Sequence, residues 1–133
     1  MPFPISGAGY QLGDGNTAEI YLGVQGAPST ATATATLTPA QVTAGLMVAN
    51  PSATAATYTL PTAALLDAFV GNARADTTFE LKLINLGTGS GAITLSAGAG
   101  LTLVGLATVA ITSQAILLFR KIADGSWTVY RVA

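Results

Sequence analysis

Two long stretches of this chain carry no charged side chain: residues 20–66 and 83–119, runs of 47 and 37 in a sequence of 133. A soluble domain normally keeps its surface wet with about 25% charged residues. Here the fraction is 8%, beside 50% hydrophobic. Two surfaces are compatible with that shortage. One is solvated by small polar side chains, for which nineteen threonines are available. The other is covered by further protein chains, because monomers seldom leave apolar patches of more than roughly a few hundred Å² open. The scarcity of charge favours the second, and the threonines keep the first in play.

The same composition removes most chemistry. The length is that of one domain able to bury its own core. A net charge of −1 with five scattered basic residues offers no patch that neutralises phosphates, so nucleic acid is not an expected partner. Without cysteine or histidine there is no thiolate, no common general base and none of the usual zinc, copper or haem ligands. No metal or cofactor is expected. The carboxylates Asp14, Glu19, Asp67, Asp76, Glu80 and Asp124 show no calcium-loop spacing. A glycosidase pair assembled in space stays open to them. Three nonetheless read as local: Asp124 in a turn, Asp67 on a helix, and Glu80 beside Lys82 on the outer face of a strand. Gly87-Thr88-Gly89-Ser90-Gly91 and Gly13-Asp14-Gly15 lack the lysine of a phosphate loop and precede no expected helix, so they read as turns. The expectation is a protein that is not an enzyme.

Membrane insertion is not expected either. Leu101 to Phe119 is long enough to test as a span, but Gly105 and the threonines break it into two β-like pieces. Met1-Pro2-Phe3-Pro4 has no basic residue or apolar run of the kind that opens a secretory signal.

Glycine and proline crowd residues 1–28, which therefore read as an extended N-terminal arm, anchored by Tyr10, Leu12 and Tyr21. Glu19 to Val24 can form one short strand within it. Residues 29–133 read as one β domain. Ser29 to Leu37 alternates threonine with alanine and predicts a strand of weakly specified register. Thr38-Pro39 caps a single helical turn stopped by Gly45, and Leu46 to Ala49 follows as a strand. Tyr58 to Leu60 is a strand ended by Pro61. Thr62 caps a helix through Phe69, with Leu65, Leu66, Phe69 and Val70 as its apolar face. Phe79 to Leu86 alternates as a half-buried strand with Phe79, Leu81 and Leu83 inward. Short apolar runs at Ala92–Ser96, Leu101–Val104 and Ala107–Ile111, parted by glycine turns, suit an all-β sandwich or barrel with one or two short helices.

Asp124-Gly125 between two apolar runs predicts a two-residue hairpin of type I′. That turn pairs Ile122 with Trp127, Arg120 with Val129 and Leu118 with Arg131 on one face. Phe119 with Tyr130 and Leu117 with Val132 take the other, which is the better core candidate. Arg120, Trp127 and Arg131 then face outward together, a composition shared by interface hot spots and by a core tryptophan flanked by snorkelling arginines. With Tyr10, Leu12 and Tyr21 they form the candidate protein interface.

The chain also resembles the small head-decoration, or capsid-cement, proteins of tailed bacteriophages. The likeness rests on Tyr10-Gln11-Leu12-Gly13-Asp14-Gly15-Asn16, Val24-Gln25-Gly26-Ala27-Pro28 and Tyr58-Thr59-Leu60-Pro61-Thr62 before a short helix. It continues in Ile84-Asn85-Leu86, Leu101-Thr102-Leu103-Val104-Gly105 and the closing Trp127-Thr128-Val129-Tyr130-Arg131. The resemblance implies a single β-sandwich or jelly-roll-like subunit with a terminal arm, bound to the major capsid protein on the outer surface of the phage head. It further implies a homotrimer at three-fold positions, and it brings no catalytic residues. The middle portion also resembles modules of phage tail fibres, which makes a tail-fibre or glycan-binding module the alternative.

Overall fold

A computed structural model of the chain describes residues 22–133. The arm anchors Tyr10, Leu12 and Tyr21 lie outside the described residues, as does half of the expected strand from Glu19 to Val24. Residues 22–28 form no helix or strand.

The described chain is mostly strand, arranged in two sheets. In order it forms β1 (Ser29–Ala31), β2 (Ala35–Thr36), α1 (Pro39–Thr43), β3 (Leu46–Ala49), β4 (Ala56–Thr59), α2 (Ala63–Phe69), β5 (Thr78–Asn85), β6 (Ile93–Ser96), β7 (Leu101–Val104), β8 (Thr108–Val109), β9 (Gln114–Ala123) and β10 (Ser126–Arg131). The larger sheet runs β1-β3-β5-β9-β10-β7 and the smaller β2-β4-β6-β8. Up to β9 the chain alternates between them, placing one strand in each sheet at every pass. Because each pass goes the same way round, β1, β3 and β5 stack in parallel, and so do β2, β4 and β6. β8 then returns antiparallel to β6, β9 antiparallel to β5, and β10 antiparallel to β9. β7 lies parallel to β10 at the far edge. A jelly roll is built from antiparallel Greek keys; here five of the eight strand pairings are parallel, so that topology is not adopted.

Both sheets contribute to one core. Met47, Leu81, Leu83, Leu117, Phe119 and Trp127 come from the larger sheet, Tyr58, Ile93 and Val109 from the smaller, and all are fully buried. Phe79 stacks on Phe119 with ring centroids 4.6 Å apart and meets Trp127 edge-on at 5.7 Å, geometries that favour aromatic pairs. Val42 of α1 and Ala63 and Leu66 of α2 join the same core.

The caps form where the sequence places them. Thr38 Oγ1 accepts from Gln41 N at 3.2 Å while Gln41 Oε1 accepts from Thr38 N at 2.8 Å, a reciprocal capping box. Gly45 follows with φ 87°, a conformation that side chains resist. Thr62 Oγ1 accepts from Leu65 N at 3.2 Å to start α2. The apolar face expected of α2 is narrower than the sequence suggests. Leu66 is buried and Val70 packs on the core, but Leu65 and Phe69 stay more than half exposed, because the core reaches only one flank of the helix.

The threonine–alanine repeat does not make one strand. It breaks at residues 32–34 and crosses from one sheet to the other, β1 pairing with β3 and β2 with β4. Alanine side chains bury too little to hold the whole repeat on one sheet, and its period gives no preferred register. Thr34 Oγ1 then accepts from Thr57 N at 3.1 Å beside β4.

Candidate interaction surfaces

The two sheets present very different outer faces. On the smaller sheet, pairing brings Thr36, Thr59 and Ser96 into one cross-strand row and Thr57, Thr94 and Thr108 into the next. That face is made of hydroxyls and needs no charge to stay wet. On the larger sheet, Leu46, Lys82 and Ile116 share a row, and Glu80, Leu118, Tyr130 and Val104 share the neighbouring row. Val48 and Ile84 continue it on one side, and Thr78, Arg120, Thr128 and Thr102 on the other. A sheet with one side in water normally alternates hydrophobic-in with polar-out. This face is half apolar. Both helices place their buried residues in the inter-sheet core, so neither is spent covering it.

Charge is equally absent from the sheet margins. The edge strands β1, β2, β7 and β8 contain no charged residue and no proline. Charged or proline-bearing edges are among the devices by which proteins prevent edge-to-edge pairing. β2 and β8, two residues each, are too short to template much, and β1 is three residues long with its Thr30 carbonyl already taken by Gln41 Nε2, so among the described residues β7 is the longest uncharged edge.

The final hairpin differs from its sequence reading. Ala123 pairs with Ser126 as a two-residue turn requires, but a bulge between Ser126 and Trp127 shifts every later pair by one. Trp127 therefore faces Lys121, Val129 faces Phe119 and Tyr130 faces Leu118. Since side chains alternate with period two, a slip of one exchanges the faces. Trp127 turns inward and is 1% exposed, while Tyr130 turns outward. The expected cluster of Arg120, Trp127 and Arg131 is not assembled. Arg120 lies outside, with Nη2 2.6 Å from Asp76 Oδ1 and Nη1 donating to the Tyr130 hydroxyl at 3.1 Å. Arg131 sits at the end of β10, donating to the Leu106 carbonyl at 3.1 Å and to the Thr108 carbonyl, which fastens one sheet to β8 of the other.

The bulge also creates a polar cluster at the sheet end. Lys121, with a side chain only 6% exposed, reaches Asp124 at 3.0 Å and Asp67 at 3.2 Å, and donates to the Ala73 carbonyl at 3.2 Å. Asp67 accepts from Gly125 N at 2.6 Å and from Trp127 Nε1 at 2.9 Å. Burial pushes the Asp67 carboxyl up, but these hydrogen bonds and the Lys121 charge outweigh it and hold the group below its ordinary value. The hydrogen bond to Asp124 is the main reason that Lys121 is held above its own, with Asp67 adding to it against the opposing effect of burial. Thus Asp67 and Asp124, which read as local, share one lysine across 57 residues of sequence. The signal was parity: Lys121 continues the inward series Leu117, Phe119.

Asn85 is a second interior polar group that sequence reasoning passed over. It is fully buried, with Nδ2 within 3.0–3.1 Å of the carbonyls of Gly91, Val109 and Ala110, and Oδ1 accepting from Gly87 N at 2.7 Å. Gly91 must be glycine for this loop to close, since a Cβ there would lie 2.0 Å from the Ser52 carbonyl oxygen. Asn85 is thereby a tie between sheets.

One groove of about 270 Å³ is rimmed by Thr43, Asn72, Thr77 and Thr78 over Phe79 and the edge of Trp127. Among the described residues no three histidine, cysteine, aspartate or glutamate side chains are grouped to hold a metal, and no helix is long and apolar enough to cross a membrane. Compared with family models, characterised proteins and solved structures, the chain matches none.

Proposed function

We propose that this chain is a structural protein of a phage virion: a decoration subunit, its two sheets packed as a sandwich, that binds the outer surface of the major capsid protein lattice and reinforces the head. The observation that carries the reading is the uncharged margin of the larger sheet, where the edge strands β1 and β7 lack the charges that ordinarily keep such edges apart. The resemblance of the motifs supplies the kind of shell, and the arm with Tyr10, Leu12 and Tyr21 supplies further apolar anchors. Mixing purified protein with undecorated shells and pelleting them tests it. Co-sedimentation that saturates at a fixed copy number is expected, and protein left in the supernatant at saturating concentration rejects the reading.

A second reading, a glycan-binding module of a tail fibre, draws on the threonine- and asparagine-rimmed groove over Phe79. Burial of Trp127 takes away the most obvious stacking platform. A glycan array separates the two: a specific signal abolished by Phe79→Ala in a protein that still folds favours the second.

A further inference from the structure

We propose that the outer face of the six-stranded sheet is an interface between two copies of this chain, related by a two-fold axis that runs across the strands between Glu80 and Lys82. The proposal does not rest on the capsid reading and concerns the free protein.

The face has the apolar content of a surface meant to be covered and two charges that the described residues leave unanswered. Arg120 is neutralised by Asp76 at 2.6 Å. Glu80 and Lys82, both exposed, make no ion pair among the described residues. They are opposite in sign, point outward from the same strand, and stand about 6.6 Å apart at the rise of a β-strand.

An isologous interface requires a patch complementary to itself, and this one is. Rotation about an axis midway between the two rows lays Glu80 over Lys82 of the second copy, and Lys82 over its Glu80. The same rotation places Leu118 over Ile116 of the second copy, because both belong to β9 and occupy the rows of Glu80 and Lys82. It carries Arg120 over Gln114, one row further out on the same strand. In the two central rows apolar side chains thus meet apolar ones and opposite charges meet, while Ile84 comes over Thr78 in the outer rows. A face-to-face sheet pair of this kind needs only the usual spacing of about 10 Å.

Sedimentation equilibrium of the full chain, with circular dichroism to confirm folding, provides the test. The wild type is expected to sediment as two chains at micromolar concentration. E80K and K82E, both at exposed positions, each juxtapose like charges twice and raise the dissociation constant at least about tenfold. Two outcomes are particular to the two-fold: the double variant E80K/K82E regains association, and an equimolar mixture of the single variants regains it as a heterodimer. A wild type that is monomeric or trimeric, single swaps without effect, or a mixture that fails to associate each overturns the proposal.

Discussion

Asp67 and Asn85 hold the two interior polar sites together by different means, and each makes its own prediction. Asp67 accepts the indole N–H of the buried Trp127, so Asp67→Ala strands that donor and costs about 2 kcal/mol of stability, measurable by denaturant titration. Its pH dependence follows from the depressed carboxyl. The contribution of the charge is fully present above the ordinary carboxylate value of about 3.9 and is lost as pH falls through the lower folded value. Asp67→Asn keeps an acceptor for the indole and removes the charge. The gap in melting temperature between wild type and this variant is therefore expected to be open at neutral pH and to close on acidification below that value. A gap of constant size down to strongly acid pH rules the account out. Asn85 carries no charge, and its replacement behaves differently. Asn85→Ala leaves buried carbonyls and the Gly87 amide unpaired, for an expected loss of about 3 kcal/mol or more that does not vary with pH. The residue types of both sites were plain in the sequence. Their partners were not, because Asp67 and Lys121 meet only after the chain has passed between the sheets.

At the scale of elements, local chemistry was legible wherever a cap or a turn specifies it. Thr38-Pro39 and Thr62 start both helices, and β5, β6 and β7 begin and end within one residue of their apolar runs. The capping box of α1 also reaches beyond the helix, because Gln41 Nε2 donates to the Thr30 carbonyl of β1 at 3.2 Å. Thr38→Ala is expected to cost about 1 kcal/mol. Hydrogen exchange should show faster opening of β1 than of β9 in this variant, since the edge strand loses the helix that buttresses it, and uniform acceleration across both strands would argue otherwise. Two elements escaped local reading. The threonine–alanine repeat lacks side chains large enough to choose a sheet, and the last hairpin contains a bulge that a two-residue turn gives no hint of. That single extra residue moved Trp127 from an expected surface into the core and sent Tyr130 out beside Arg120.

For the whole molecule, the scarcity of charge resolves into a division between faces. Hydroxyl rows on the smaller sheet fit the solvated surface that the composition allowed, and the half-apolar outer face of the larger sheet is the one we propose to be covered. Attachment through uncharged edges leaves little for salt to screen. Binding to shells is therefore expected to survive about 1 M salt, where the Debye length is near 3 Å, and release under that condition in the pelleting assay contradicts attachment of this kind. By itself the sequence determined that the domain is mostly β, that two short helices start at Thr38 and Thr62, and that histidine and cysteine chemistry is absent, because each follows from composition or from neighbours a few residues apart. Only the tertiary structure decided how the charge-free surface is divided. Which side of a strand faces water depends on sheet pairing between residues dozens of positions apart, and one bulge is enough to reverse it.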